Sequence, residues 1–376
     1  MLVMTDVIND PRVRKEAETL RDVGHDVTII GHVQPPSRPA LEGIEMHWVE
    51  RARVGDTPDA GHPLRAFPGA RTARWLLLPD HRRRARSSFA SKAVRTARRL
   101  SGTFDVVHAH DLPALVPGAE LARDHGARLV YDAHEVWTGR RLEGRPTPLG
   151  RRREFAREHH LGARADAVLT VSEGIASWLR GHHGWTSVHV VRNTYRLEAS
   201  FSPPSGPPSA VVFTGRVDRD RDLATAVHAA RGFRGLELQV FASRVVGVDI
   251  PTPHLREPVP EDDVDLVLRQ AGIALVSLTG GMVNHDLALP NKLFHAVRAG
   301  VPVVAADLPE LRRVVSTNDL GALYAPGDPA SLVRAVHAVR DDWDRYVAAV
   351  ARARTALSWA VDAQVLRDVY SGLASR

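Results

Sequence analysis

Residues 2–30 read LVMTDVINDPRVRKEAETLRDVGHDVTII, and the spacing of apolar and turn residues in this stretch decides the class of fold. Leu2 to Thr5 form a short run of strand character, followed by a polar loop. Asp10 stands where a helix N-cap is wanted, and Pro11 follows at the first helical position, where a missing N–H costs nothing. Val13, Ala17 and Leu20 then recur at helical spacing and form one buried stripe. Gly24 ends the helix, and the apolar strand Val27 to Ile30 begins. Strand, helix and strand in this order make a βαβ unit, whose two strands lie parallel.

The same alternation continues outward. Short apolar runs follow at Val106-Val107, Leu129 to Tyr131, Ala167 to Val171 and Val188 to Val191, each separated by helical or loop sequence. The stretch 199–208, centred on Ser202-Pro203-Pro204-Ser205-Gly206-Pro207-Pro208, has the composition of a stiff extended linker. After it the alternation restarts, with strands at Val211 to Thr214, Leu236 to Phe241, Ile273 to Ser277 and Val301 to Ala305. Helices begin near Asp222, Glu261, Pro290 and Leu308. Strands alternating with helices imply parallel sheets covered on both faces. The expectation is an α/β protein of two doubly wound, Rossmann-like domains, 1–198 and 209–357, with a terminal helix at about 358–376 packing back onto the first. Ligands of such folds bind beyond the carboxyl ends of the strands, so a central cleft faced by both sheets is the place to look for function.

With 376 residues, 44% hydrophobic and 25% charged, each half can bury a core of its own. There is no cysteine, which excludes disulfides, thiolate nucleophiles and thiolate metal sites and fits a cytoplasmic setting. No run of 18 apolar residues occurs, so no membrane-spanning helix is expected. Lys and Arg exceed Asp and Glu by 30 to 23 over residues 1–195, whereas the remainder has 20 against 21. The basicity therefore belongs to the first half. Between Arg71 and Arg99 ten bases face one acid, Asp80. A solvated Arg-rich helical face is the first reading of this stretch. An anionic acceptor, or peripheral contact with an anionic inner-membrane surface, is the second. Few aromatic residues lie among the bases and no RNA-reading motif is present, so nucleic acid is not an expected partner.

Neither a Walker A motif nor GxGxxG is present. A different phosphate device is visible. Gly215-Arg216 follows the strand Val211 to Thr214, with Arg221 six residues after the glycine. Gly215 permits close backbone approach, and two guanidinium groups at one strand end can neutralise a diphosphate. Asp218, Asp220 and Asp222 alternate with arginines and read as self-paired turn charge rather than metal ligands. A second device runs from Gly280-Gly281 to Leu289-Pro290-Asn291-Lys292-Leu293-Phe294-His295 and closes at Gly300. Pro290 near the start and Gly300 past the end delimit a helix whose first N–H groups can receive phosphate oxygens, with Lys292 adding a charge.

Taken together, DPRVRKEAETLRDVGHDVTIIG, FDVVHAHDLPALV, LVYDAHE, ADAVLTVSEGI, VVRNTY, FTGRVDRDRDL and LPNKLFHAVRAGVPVVAADLPELRRVV resemble, in this order, the family 4 retaining glycosyltransferases over nearly the whole chain. The resemblance implies the GT-B architecture and a nucleoside diphosphate sugar as donor substrate. It also implies a transfer that retains anomeric configuration, with no cofactor and no essential metal. Arg216 matches the family's diphosphate-binding arginine, and Arg221 stands where a lysine is usual. His134, after the strand Leu129 to Tyr131, matches the active-site histidine. His110 and Asp111 look like acceptor-side residues, and Asn9, Asp10 and Arg12 fall in a first loop that approaches donor phosphates or acceptor. The pair His108 and His110 shows no further ligand, so no metal is expected there.

Base recognition is expected from the loop His254 to Pro260, with Arg256 and Glu257 as candidates. Gly280, Gly281, Leu289, Asn291, Lys292 and His295 complete the expected donor site. One departure stands out: the family's paired glutamates would fall at Leu287 and His295. The second of them binds the ribose hydroxyls. An imidazole offers one acceptor where a carboxylate offers two oxygens. A deoxyribose donor such as a dTDP-sugar is therefore weighed beside a UDP-sugar, and Asp286 is a partial substitute for the first glutamate. The acceptor is expected to be a small molecule or glycan of natural-product or cell-envelope biosynthesis. Its specificity would lie in Arg71 to Arg99 and Arg140 to Arg157. The alternative is a non-catalytic homologue that binds a nucleotide sugar or a partner enzyme.

Overall fold

A computed structural model describes residues 1–7, 10–32, 41–50, 81–141, 149–204, 206–242 and 245–375. Asn9, residues 71–80 of the basic stretch and residues 142–148 lie outside the described residues. The chain divides into two compact units: Met1–Thr170 with Trp178–His189 and Val365–Arg376, and Val171–Ser177 with Val190–Gln364.

The first unit holds a seven-stranded sheet in the order β3-β2-β1-β4-β5-β6-β7. Its strands are β1 Leu2–Asp6, β2 Thr28–His32, β3 Glu45–Val49, β4 Val106–His110, β5 Arg128–Ala133, β6 Ala167–Thr170 and β7 Val188–Val190. β3 through β6 pair in parallel, Val107 opposite Leu129 and Val130 opposite Ala167. The helix Pro11–Asp22 joins β1 to β2, and Asp10 caps it by accepting the backbone N–H groups of Arg12 at 3.1 Å and Val13 at 3.3 Å. Val13, Ala17 and Leu20 are buried with the central strands.

The second unit repeats the plan with six strands in the order β10-β9-β8-β11-β12-β13. They are β8 Ala210–Thr214, β9 Glu237–Phe241, β10 Leu255–Arg256, β11 Gly272–Val276, β12 Val303–Ala306 and β13 Gly321–Tyr324, all parallel to their neighbours. Both orders are doubly wound, with the direction of winding reversing between β1 and β4 and between β8 and β11. The helix Asn291–Ala299 buries Leu293, Phe294 and Val297 against the sheet and ends at Gly300, whose φ of 74° suits glycine. The helix expected near Glu261 opens as a 3-10 turn, Glu261–Asp263, before Val264–Ala271 becomes α-helical. The loop expected at His254 to Pro260 contains the two-residue strand β10.

Among the described residues no helix is long and apolar enough to cross a membrane. The described arginines of the basic stretch are partly committed to acids. Arg86 pairs with Glu154 at 2.7 Å, and Arg98 pairs with Glu120 at 3.0 Å and with Asp124.

Candidate active site

In the first unit, β4, β5 and the start of the first helix bring together a buried set of charges. Arg12 is 2% exposed and forks onto Asp132, Nε 2.8 Å from Oδ2 and Nη2 2.7 Å from Oδ1. The same Nη2 lies 3.0 Å from Glu16 Oε1, one helical turn on. His110 Nδ1 is 3.1 Å from Asp132 Oδ2 and 3.2 Å from His134 Nε2. His134 Nε2 reaches Asp132 Oδ2 at 3.0 Å, its Nδ1 lies 3.5 Å from Asp111 Oδ2, and its backbone N–H donates to Asp111 Oδ1 at 3.1 Å. Asp111 holds φ at 62°, a left-handed conformation that costs a non-glycine residue energy and here aims its carboxylate at His134.

The electrostatics follow from this arrangement. Burial opposes charge on His134, but Asp111 and then Asp132 overcome it and push the imidazole up to about 10, so it is an imidazolium at neutral pH. Burial would likewise raise Asp132, yet Arg12 and His134 hold it well below the usual carboxylate range. Burial lowers His110, which is neutral. His134 is one-fifth exposed, 21%, and is the outward-facing member of the set, whereas His110 and Asp132 are fully enclosed. A charged hydrogen-bond donor fixed by two carboxylates can hold a hydroxyl or an anion in one orientation.

In the second unit a cavity of about 240 Å³ opens beyond the carboxyl ends of β8 and β9, at Thr214, Gly215 and Phe241. Gly215 has φ of 107°, and a Cβ there would stand 3.3 Å from Lys292 Nζ, so a side chain would be strained and would crowd the ammonium. Lys292 and Asn291 line the cavity from the start of the helix Asn291–Ala299. Pro290 precedes that helix and offers no side-chain cap; its carbonyl accepts the N–H of Leu293 at 3.0 Å, which leaves the N–H groups of Asn291 and Lys292 at the helix start for a ligand or water. Lys292 Nζ also sits 4.6 Å from the centre of the Phe213 ring. Burial, reinforced by Arg221, pulls Lys292 down to about 7.

Arg216 and Arg221 lie close enough to act on that ammonium. Asp218 organises their turn. Its carboxylate accepts Arg216 Nε at 2.9 Å and the backbone N–H of Asp220 at 3.0 Å, and its carbonyl accepts the N–H of Arg221 at 3.1 Å. Arg221 Nε is buried without a hydrogen-bond partner among the described residues. Asp222 bonds Thr225, Tyr324 and the N–H of Gly327. These aspartates are engaged in turn and cap contacts.

The sequence pattern described as Glycosyltransferase Family 4 matches residues 12–199, and that described as Glycosyl transferases group 1 matches residues 208–342. The chain belongs to glycosyltransferase family 4. A phosphatidyl-myo-inositol mannosyltransferase of Mycobacterium leprae is 42% identical over 399 residues, covering 92% of this chain and 97% of that one. A glycogen synthase of Mycobacterium tuberculosis is 25% identical over 351 residues, 90% of this chain and 82% of its own. Among solved structures, the Anabaena protein HepE in complex with UDP-glucose superposes with a TM-score of 0.71 at 13% identity, covering 99% and 98% of the two chains. That likeness establishes the two-domain GT-B fold.

Within this glycosyltransferase, Gly215, Asn291, Lys292 and His295 share one cavity. Leu289 is buried in the core, and Gly280 and Gly281 are exposed outside the cavity wall. Arg256 turns its Nη1 onto the carbonyls of Pro253 at 2.8 Å and Leu255 at 3.1 Å. The wall is formed instead by its loop neighbours Pro258 and Val259, and Glu257 is exposed. Glu261, Phe241 and Val264 are lining residues that the motifs did not single out. A Pro-Val pair inside an otherwise polar loop was the available signal for the first of these walls.

At the two positions of the absent glutamates, Leu287 gives its carbonyl to Ser172 Oγ at 2.7 Å. His295 is 9% exposed and is tied at Nε2 to the Tyr195 hydroxyl at 2.7 Å. Glu16, His108, His110 and Asp132 lie within metal-ligating distance of one another. By donor type they could hold a cation, but the Arg12 guanidinium already occupies both carboxylates. A dication there would face that fixed positive charge, so the set fits a metal poorly.

Proposed function

We propose that this glycosyltransferase moves a sugar from a nucleoside diphosphate sugar to a hydroxyl-bearing acceptor with retention of anomeric configuration. The cavity at Gly215 carries the reading. An ammonium and the start of a helix line it beyond the carboxyl end of a central strand, and two guanidinium groups outside its wall lie near enough to act on that ammonium, a combination suited to a diphosphate. The UDP and UDP-glucose complexes of HepE support a uridine donor, with dTDP as the competing nucleotide.

As the bond between the anomeric carbon and the phosphate oxygen breaks, its electron pair stays on the leaving phosphate and positive charge grows on the sugar. Lys292, Arg216, Arg221 and the helix start stabilise that leaving group more in the transition state than in the ground state, which lowers the barrier. The acceptor oxygen attacks the face the phosphate is leaving, and its proton passes to the departing phosphate oxygen. Retention then needs no enzyme nucleophile, and neither metal nor cofactor takes part. His134 donates to a sugar or acceptor hydroxyl, with Asp111, Asp132, His110 and Arg12 fixing its charge and orientation. Asp10 serves that set by capping the helix that carries Arg12. The resemblance to a phosphatidyl-myo-inositol mannosyltransferase favours a cell-envelope glycan acceptor with a polyol group. That setting suits a protein acting in the cytoplasm at the inner membrane surface.

Release of nucleoside diphosphate from a panel of nucleotide sugars, with and without candidate acceptors, tests the reading. Arg216→Ala should lower turnover at least about tenfold, since a charged contact is worth more than ~1.4 kcal/mol. Unchanged turnover would remove the phosphate assignment. A purified chain that binds donor but neither hydrolyses nor transfers it would instead be the non-catalytic homologue.

A further inference from the structure

The charges that act on Glu16 in the first unit are Arg12 and His134 on one side and Asp132 and Asp10 on the other. Both cations are already matched. Arg12 is forked onto Asp132, and His134 stands between Asp132 at 3.0 Å and Asp111 at 3.5 Å. Asp10 directs its carboxylate at the N–H groups of the helix start. Glu16 itself is fully buried one turn along that helix, and neither of its oxygens has a hydrogen-bond partner among the described residues.

Glu16 Oε1 lies 3.0 Å from Arg12 Nη2, the same nitrogen that bonds Asp132 Oδ1 at 2.7 Å, so two carboxyl groups share one donor. On the far side Glu16 Oε2 is 3.6 Å from His108 Nε2, and His108 Nδ1 is 3.0 Å from the Tyr370 hydroxyl of the terminal helix Trp359–Ala374. Burial keeps His108, His110 and the Met1 amine at the head of β1 neutral, and it keeps the Tyr370 hydroxyl protonated. None of these groups offers Glu16 a second cation. A buried carboxylate with half a donor is costlier than the neutral acid, and burial accordingly pushes Glu16 up to about 8.

We infer that Glu16 works as a neutral acid and is a positioning residue for His134: it braces Arg12 beside Asp132 without adding a third negative charge, and its ionisation closes the site on the alkaline side. The inference rests on His134 being the donor to a sugar or acceptor hydroxyl. With Glu16 neutral, Arg12 and His134 balance Asp132 and Asp111, and the outward-facing imidazolium keeps its full charge for a ligand. A charged Glu16 would compete for Arg12 Nη2 and loosen the fork on Asp132. It would also leave one unmatched negative charge behind the imidazolium, which weakens that group's hold on a hydroxyl or an anion.

Nucleoside diphosphate release at saturating nucleotide sugar, followed from pH 6 to 10 on the full chain and on Glu16→Gln, tests it. Saturation keeps the titration of Lys292, which belongs to the empty site, out of kcat. The parent's kcat should fall about tenfold between pH 7 and 9, as one proton leaves a group near 8. Glu16→Gln should stay within about threefold of the parent below pH 7 and keep more than about half of its kcat at pH 9, where His134 still holds its proton. A merely structural role would lower kcat evenly across the range. Stability gives a second readout that needs no substrate. A folded value of about 8 above an ordinary value of 4.5 means a stabilisation that is complete below about pH 4.5 and lost as pH rises to 8. The urea midpoint of Glu16→Gln relative to the parent should therefore climb from pH 5 to 8 and level off above. If the glutamine variant does not fold, Glu16→Met, neutral and of similar length, takes both measurements. A parent kcat that is flat to pH 9, an alkaline fall that survives in the variant, or midpoints that run parallel with pH overturns the inference. A chain that turns over no nucleotide sugar removes the reading of the site and the positioning role together, while the midpoints still report the charge of Glu16.

Discussion

Lys292 is poised between two charge states. Burial and the neighbouring guanidinium of Arg221 pull it down to about 7 in the empty site, so at pH 8 most molecules carry a neutral amine there. A bound diphosphate favours the ammonium and raises that value. Nucleotide binding at pH 8 should therefore take up close to one proton, and affinity should fall as pH rises through 7, with no uptake below about pH 6. Calorimetry in two buffers of different ionisation enthalpy measures the uptake, and Lys292→Ala should abolish it. The charge chemistry of this end was legible in the sequence because glycine, a cation and a helix start each leave a local mark. The other wall was not. Arg256 and Glu257 were the chemically expressive residues of their loop, yet Pro258 and Val259 face the cavity. An irregular loop has no period from which the inward side chains can be counted. Asp132 and Glu16 were equally silent, since a buried ion pair 120 residues apart in sequence announces itself only once β5 and the first helix meet.

Among the elements, the helix Pro11–Asp22 does two jobs. Asp10 ends it cleanly and its first turn delivers Arg12 to Asp132. Asp10→Ala should cost about 1 kcal/mol, the usual value of an N-cap, seen as a lower urea midpoint with an unchanged slope. The strands that the apolar runs announced are the inner ones and one edge strand, β7. Those that escaped, β3, β10 and β13, are all at sheet edges. An edge strand is covered on fewer sides and tolerates polar residues. β3 reads EMHWV with its first and fourth residues exposed, and no residue of β10 is buried. Periodicity reports burial, so it fades where burial does.

At the scale of the whole molecule, the terminal helix Trp359–Ala374 serves both units. Asp362 accepts Thr194 Oγ1 at 2.7 Å and Arg192 Nε at 2.9 Å in the second unit. Tyr370 belongs to the first, its hydroxyl 3.0 Å from Nδ1 of the buried, neutral His108. Tyr370→Phe should destabilise by about 1 kcal/mol and lower the unfolding temperature by a few degrees in a calorimetric scan. The segment Val171–Ser177 makes the opposite excursion, joining the second unit through Ser172 and Glu173, whose N–H donates to Glu310 at 3.2 Å. The excursion of Val171–Ser177 could not be counted from composition, because a single hydroxyl or amide bonded across more than a hundred residues has no spacing rule.

The return of the terminal helix to the first unit bears on the order of assembly on the ribosome. Met1–Thr170 is synthesised ahead of most of the second unit, but residues 365–375, which complete the first unit, follow Gln364 in the chain and are made only after it. Through most of translation the lining of His108 and Glu16 stays uncovered, waiting for Tyr370. A nascent chain stalled or cleaved just before residue 365 would carry a second unit complete in sequence and a first one still lacking Tyr370.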